Sequence, residues 1–173
     1  DDLFLRRSVE EEAWIVPNAA SVTGARGERF RTDVVVHNPT PAPRTFALRF
    51  RDADRPGVDL TPVVLHLAPR ESRVLEDVLA DMLGARGKHG ALEIVYVPTE
   101  GPIRAEARVV TTHPESPGNG ASLPVVTREE ARTSAEYLGL ELPEAGSARV
   151  NAGVYNPSAG PVDTTIVLRS AQG

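Results

Sequence analysis

The chain has 173 residues and a formal net charge of −5, with 40% hydrophobic and 25% charged residues. This length accommodates one ordinary hydrophobic core and part of a second, and the composition is typical of folded domains rather than disordered chains. The acidic balance argues against a nucleic-acid-binding surface, and no apolar run approaches the roughly 18 to 20 residues of a membrane span. The absence of cysteine excludes disulfides and thiolate metal sites.

The first part of the chain predicts short strands separated by turns. Residues 1–13 combine an apolar triplet with charged residues, and we interpret them as a linker or the end of a preceding unit. Residues 14–16 predict a short edge strand, because a proline follows them. Residues 34–36 and 46–50 are predicted to pair as a hairpin that turns at Asn38, since side-chain alternation at period two indicates a strand with one buried face.

The middle of the chain changes period once and then returns to β patterning. Helical spacing over residues 76–83, ended by Gly84, predicts one short helix. Residues 113–120 predict a loop, because they are rich in Pro and Gly. Further strands are predicted at residues 63–67, 92–96, 103–112 and 123–126. Seven or eight strands with regular turn signals favour an all-β, immunoglobulin-like antiparallel β-sandwich; a closed barrel is the alternative.

The same pattern begins again near the end of the sequence. A gap-free offset of 118 residues aligns two separate groups of identical residues. The aligned pairs are Leu5 and Leu123, residues 11–13 and 129–131, Arg31 and Arg149, Val36 and Val154, Asn38 and Asn156, Pro39 and Pro157, Pro43 and Pro161, and Arg51 and Arg169. This predicts a tandem array with one complete unit at residues 14–130 and an incomplete second copy at residues 131–173. We therefore expect the sequence to be a piece of a longer protein.

Several of these short motifs resemble a known kind of module. They lie at residues 30–33, 38–40, 67–69, 76–79, 90–94 and 101–103. In this order they are similar to tandem immunoglobulin-like β-sandwich modules of uncharacterised exported proteins from acidobacterial and related bacteria. The resemblance implies an extracellular or periplasmic location and a parent with several modules, and it implies no catalytic residues.

The strongest candidates for ligand or partner contact are polar and aromatic. Arg31 and Asp33 begin a strand, and Arg149 repeats the arginine in the second copy. They are interpreted either as a contact to a ligand or neighbouring module, or as an ion pair that pins the Asn-Pro corner. Trp14 and Tyr155 are the aromatic candidates, with Trp14 expected to pack between domains.

Asp52, Asp54 and Asp59 form the best candidate for a metal site, because carboxylates at alternate positions around a glycine turn can converge on Ca²⁺. The spacing lacks other oxygen ligands of helix-loop-helix calcium sites, so a solvated hairpin is the alternative interpretation. We predict no cofactor and no bound metal.

Catalytic motifs are missing from the sequence. The four histidines, at positions 37, 66, 89 and 113, form no HxH or HExxH pair, and no GxSxG motif is present. An enzyme would need a pocket that brings together two or more of His66, His113, Asp52 and Asp59.

The sequence therefore predicts a non-catalytic, exported structural, adhesive or assembly module. Its expected partners are other copies or modules of the same protein, in a homo-oligomer or fibre held by strand pairing. Nucleic acid and membrane spans are not expected. The alternative is an accessory domain of an exported hydrolase that binds carbohydrate or protein.

Overall fold

The computed structural model describes residues 11–55, 57, 60–113, 116–130, 154–158 and 160–167. Contacts between residues divide the chain into two units, Asp1–Ala131 and Arg132–Gly173.

The first unit is mostly antiparallel β-sheet with almost no helix over its described residues. Its strands are β1 (Glu12–Thr23), β2 (Arg29–His37), β3 (Arg44–Asp52), β4 (Val63–Leu67), β5 (Ser72–Leu75), β6 (Lys88–Tyr96), β7 (Arg104–His113), β8 (Ser116–Leu123) and β9 (Val126–Thr127). A five-residue π-helical turn, Val78–Met82, and a 3-10 turn, Pro98–Glu100, account for the helical residues. The predicted all-β class is confirmed.

Strand β1 lies in the middle of the sheet, whose order is β4-β3-β6-β1-β2-β7-β8, with β5 paired to β2 and β9 to β1. Most of β1 pairs with β6, and its last three residues pair with β2. The register shifts between Val16 and Ala19, so Pro17 falls in a bulge, where its missing N–H interrupts no ladder. The predicted short edge strand at residues 14–16 is therefore wrong, because β1 has twelve residues and pairs on both sides.

The predicted hairpin between residues 34–36 and 46–50 is also wrong. Strand β2 pairs with β1, β5 and β7, whereas β3 pairs with β4 and β6. The six-residue connection 38–43 is a corner stabilised by side-chain hydrogen bonds rather than a tight two-residue turn. Sequence alternation identified both strands correctly, but it carries no information about which strands are neighbours.

The predicted loop at residues 113–120 is partly a strand. Residues 116–123 form β8, an end strand of the sheet that pairs with β7. Gly118 and Gly120 weaken intrinsic strand propensity, which explains the wrong prediction. An alanine Cβ at Gly118 would lie 2.9 Å from the Thr111 carbonyl oxygen, so a glycine permits the close approach of the two strands.

The predicted helix at residues 76–83 is reduced to the π-helical turn. Asp77, immediately before this turn, has a left-handed backbone conformation with φ 40° and ψ 51°, which prevents a regular α-helix from starting earlier. Gly84 follows with φ 63°, as predicted for the residue that ends the helical segment.

The core combines residues from β2 and β3, which are not neighbours in the sheet. Phe46, Leu48 and Phe50 of β3 are at most 1% exposed, and Val34 and Val36 of β2 are fully buried in the same cluster. Full burial of each such side chain is worth about 1.5 to 3 kcal/mol. The predicted buried face of β3 is confirmed at Phe46, Leu48 and Phe50, but the strict alternation is not, because Ala47 on the opposite face is also fully buried.

In the second unit, the described residues 154–158 and 160–167 contain no helix or strand. Across the described parts of both units, no helix is long and apolar enough to cross a membrane.

Candidate functional site

The corner between β2 and β3 is organised by the side chain of Asn38, which is fully buried. The Asn38 Nδ2 donates to the carbonyl oxygens of Ala42 and Ala68, each at 2.8 Å. Its Oδ1 accepts from the backbone N–H of Thr40 at 3.0 Å and from the Thr40 hydroxyl at 2.8 Å. The Thr40 hydroxyl also lies 3.0 Å from the Ala42 carbonyl oxygen. All of the hydrogen-bonding capacity of the buried amide is therefore used within the protein.

The corner is hydrogen-bonded to the turn that joins β4 to β5. Besides the bond to Ala68, the Asn38 N–H donates to the Glu71 carbonyl at 2.9 Å, and the Arg70 N–H donates to the Thr40 carbonyl at 3.1 Å. The Arg70 guanidinium donates to the Pro39 carbonyl. Arg70 has a positive φ of 61°, an uncommon conformation for a residue with a side chain. Backbone and side-chain contacts together fix this strained turn against the corner.

The second unit contains the same local corner at the 118-residue offset. The Asn156 Nδ2 donates to the Gly160 carbonyl at 2.7 Å, and its Oδ1 accepts from the Ser158 N–H at 3.0 Å. The Ser158 hydroxyl lies 2.7 Å from Asn156 Oδ1 and 3.0 Å from the Gly160 carbonyl oxygen. These four contacts match those of the first corner to within 0.1 Å, although serine replaces threonine and glycine replaces alanine.

Arg31 and Asp33 belong to a charged cluster on β2. The Asp33 side chain is only 1% exposed, and its carboxylate lies 3.1 Å from both the Arg31 Nε and the Arg108 guanidinium. It also accepts from the Asp77 N–H at 3.0 Å. Arg31 and Asp33 therefore form an ion pair, and the turn that Asp33 contacts is the one at Asp77 and not the Asn-Pro corner. Arg149, the second-copy counterpart of Arg31, lies outside the described residues.

The candidate calcium ligands have other partners where the structure describes them. Burial disfavours the charged form of Asp52, but hydrogen bonds from the Lys88 ammonium at 3.0 Å and from the Asp54 N–H outweigh it and lower the pKa of Asp52. The Asp54 carboxylate is 61% exposed and lies 3.7 Å from His89 Nδ1. Asp59 lies outside the described residues. Among the described side chains, no group of three or more His, Asp or Glu residues is arranged to hold a metal ion.

The candidates Trp14 and Tyr155 and a further aromatic residue, Tyr96, have different surroundings. The Trp14 indole N–H donates to the Ile103 carbonyl at 2.6 Å, and the half-buried ring packs against the core of its own unit. The Tyr96 hydroxyl donates to Glu12 at 2.6 Å, and burial together with this carboxylate raises the pKa of Tyr96. Tyr155 is half-buried, next to Asn156 in the second corner.

The residues considered for catalysis are dispersed along the first unit. His66 on β4 lies 2.9 Å from the Thr45 hydroxyl at the beginning of β3, whereas Asp52 is at the opposite end of that strand. Asp52 is seven residue steps along the strand from Thr45, which corresponds to about 23 Å. His113 is at the end of β7.

Sequence reasoning missed Arg70 and Arg108 as parts of these sites. The sequence identifies a turn at residues 68–71, but the left-handed conformation of Arg70 and its contact with the corner depend on the fold. Arg108 faces Asp33 because the two residues are register partners on β7 and β2. Opposite charge was the available signal, but it is informative only when the strand order is known.

A scan against protein-family models finds no match, and searches of curated proteins and of solved structures find no significant similarity.

Proposed function

We propose that the chain is a segment of a tandem array of immunoglobulin-like β-sandwich units with a structural, adhesive or assembly role. The observation that carries this proposal is the repeated corner, in which Asn38 and Asn156 make the same set of local hydrogen bonds. An Asn-Pro turn alone is common, because asparagine readily bonds nearby backbone groups. Its position at the offset that also aligns residues 11–13 with 129–131 makes an array the better explanation.

The sandwich form is supported by the position of β1. Its long first part pairs with β6 and its last three residues pair with β2, so β1 connects two groups of strands. The buried side chains of β2 and β3, one strand from each group, belong to one core cluster. A sheet whose two arms bury their apolar faces against each other is the arrangement of a β-sandwich.

The proposal of a role in assembly rather than catalysis is supported by the internal contacts of the buried polar groups. The Asn38 corner and the Asp33 cluster both contact backbone groups of their own unit. Buried polar groups with this many internal partners specify how segments of chain are placed relative to one another. The extracellular or periplasmic setting rests on the resemblance to exported tandem modules, and fractionation of the source cells with an antibody against the chain tests it.

A single fusion tests the tandem-array proposal. At the 118-residue offset Gly173 corresponds to Arg55, so residues 56–130 are appended directly after Gly173 to supply the rest of a second unit. We expect the amide protons of residues 154–167 to become strongly protected from hydrogen exchange, and a second cooperative unfolding transition of similar size to appear. Exchange of residues 154–167 as fast as in the 173-residue chain would contradict the array.

A further inference from the structure

A cleft of about 320 Å³ lies on the first unit, where β2 is flanked by β5 and β7. Its volume is at the lower end of the range found for small-molecule sites. The lining residues are Val35, His37, Ser72, Arg104, Ala105 and Glu106. All six belong to the first unit, and four of them carry polar side chains that can bind or orient a ligand.

Strand register places the polar side chains of the cleft on one face of the sheet. His37 is the register partner of Ser72 on β5 and of Arg104 on β7. Val35, two residues before His37, is the partner of Glu106. Register partners share a face, and so do residues two apart along a strand. The hydroxyl, imidazole and guanidinium therefore form one row across three strands, and the Glu106 carboxylate lies in the next row.

Arg104 and Glu106 bring opposite charges to this face without pairing with each other. Their Cα atoms are about 7 Å apart along β7, and neither side chain makes an ion pair or hydrogen bond within the described part of the protein. The next arginine on the same face, Arg108, is by contrast bound to the buried Asp33. A free cation beside a free anion suits a ligand that carries both charges.

The Asn38 corner fixes one side of the cleft. Asn38 follows His37, and its backbone N–H donates to the carbonyl of Glu71, the residue before Ser72. His37 Nδ1 lies 2.8 Å from Ser72 Oγ, which orients the imidazole. When the Ser72 hydroxyl donates to Nδ1, the proton of a neutral imidazole is on Nε2. This nitrogen makes no hydrogen bond to any described residue, so it is available as a donor to a ligand.

The other side of the cleft is fixed at the start of β7. Ile103, immediately before Arg104, is 1% exposed, and its carbonyl accepts from the Trp14 indole N–H at 2.6 Å. Further along β7, the ion pair of Arg108 with Asp33 connects this strand to β2. Because the backbone is anchored before and after the cleft, its polar groups can bind a small ligand at little cost in ordering.

We infer that the cleft binds a small zwitterion with the charge pattern of an α-amino acid or a short peptide. Arg104 and His37 donate to its carboxylate, because a guanidinium matches the planar geometry of a carboxylate. Glu106 accepts from its ammonium group, and Val35 contacts the carbon chain between the two charges. An anion without a cationic group is disfavoured, since it would lie close to the Glu106 carboxylate.

This inference goes beyond the tandem array and does not depend on it, because all of its residues lie in the first unit. At the 118-residue offset Tyr155 stands in place of His37. The ligand site therefore distinguishes the first unit from the repeated framework. Free amino acids and peptides with free termini share the proposed chemistry, and the titration below separates them.

The experiment uses the complete 173-residue chain labelled with ¹⁵N, and the zwitterionic peptide L-alanyl-L-alanine as the probe. We expect saturable chemical-shift changes at the amides of residues 35–37, 72–74 and 104–106, with a Kd at or below about 1 mM. The absence of saturable changes at these residues overturns the inference. Free L-alanine is titrated in parallel: weaker binding than that of the dipeptide assigns the cleft to peptides, and equal or tighter binding assigns it to amino acids.

Blocked peptides test the two charges separately. N-acetyl-alanyl-alanine lacks the ammonium group, and alanyl-alaninamide lacks the carboxylate. Arg104→Gln and Glu106→Gln should each weaken alanyl-alanine binding about fivefold, the effect of one lost ion pair at a partly exposed site. Arg104→Gln should not weaken binding of the amide. Glu106→Gln should strengthen binding of the acetylated peptide, because it removes the carboxylate that repels it.

The role of Ser72 in orienting the imidazole has its own test. Ser72→Ala should weaken alanyl-alanine binding about threefold, because the contact that orients His37 is lost. Ser72→Thr should restore the affinity, since it again places a hydroxyl beside the imidazole.

Matched controls make the result specific. Arg86→Gln and Glu100→Gln remove the same charges at exposed positions outside the cleft, and they should leave every Kd unchanged. Alanyl-alanine binding that is insensitive to both Arg104→Gln and Glu106→Gln overturns the inference, and so do equal effects of each variant on all three peptides. The 56–130 fusion tests the array independently, so failure of either experiment leaves the other conclusion standing.

Discussion

Replacement of Asn38 by alanine is the most informative perturbation of the first unit. The side chain is fully buried and makes four hydrogen bonds, two as donor and two as acceptor. A typical internal hydrogen bond contributes about 0.5 to 1.5 kcal/mol, and a partner left buried without a bond adds a penalty. Because water can reach part of this corner, we expect Asn38→Ala to lower the free energy of unfolding by about 3 kcal/mol. For a unit of this size, that lowers Tm by about 10 °C.

Urea titration followed by circular dichroism measures this loss, and Asn156→Ala is the matched control. Asn156 makes the same local bonds in the second unit, so its replacement should change the unfolding of the first unit by less than about 0.5 kcal/mol. Asn38→Asp should be no more stable than Asn38→Ala at neutral pH, because a carboxylate oxygen would then face two carbonyl oxygens. A loss below about 1 kcal/mol for Asn38→Ala, or equal losses at both corners, would refute the role assigned to the long-range bond.

Three further predictions concern the first unit. Asp33→Asn should lower the unfolding free energy of this unit by about 2 kcal/mol, because it removes the charge of a buried carboxylate. Arg108→Met should lower it by less than about 1 kcal/mol, since this arginine is more than half exposed. A larger loss for Arg108→Met than for Asp33→Asn in urea titrations would contradict this ranking. The folded pKa of Asp52 lies below its usual value of 3.8, so its contribution to stability is present above that pH and is lost as the pH falls through the folded pKa. The unfolding free energy of Asp52→Asn should therefore fall less steeply as the pH is lowered. An unchanged slope of unfolding free energy against pH would contradict the stabilising role of the Asp52 partners. Gly90→Ala should destabilise the unit by at least about 3 kcal/mol, because the new Cβ would overlap a backbone carbonyl oxygen of β3. Gly87→Ala is the control, because its new Cβ would meet no atom within 4 Å; thermal unfolding should show a loss of only about 1 kcal/mol.

The alternation of Phe46, Leu48 and Phe50 was sufficient to determine the buried face of β3, because side chains on a strand alternate between two faces. The same rule identified β4 and β6 as strands, but it did not reveal that Glu93 and Val95, on the opposite face of β6 from Leu92, are buried too. It missed the first part of β8, where residues 113–120 were predicted to form a loop because their small residues carry no apolar pattern. The tight β7–β8 pairing at Gly118 is a property of the neighbouring strand and not of the local sequence.

The contacts of the candidate sites are also of two kinds, those with nearby residues in the sequence and those with distant ones. The local part of the Asn38 and Asn156 corners is visible in the sequence, because it consists of side-chain bonds to residues two and four positions along the chain. Local contacts of this kind follow from local sequence.

Which strand lies beside which was decided only by the tertiary structure. The partner of the Asn38 corner is 30 residues away at Ala68, and the partner of Asp33 is 75 residues away at Arg108. Both contacts depend on strand order and register, which arise from the packing of the whole core. Many pairings of the same amphipathic strands satisfy the same local pattern. The sequence therefore determined the local hydrogen bonds of the Asn38 corner, and the fold determined that the β4–β5 turn packs against it.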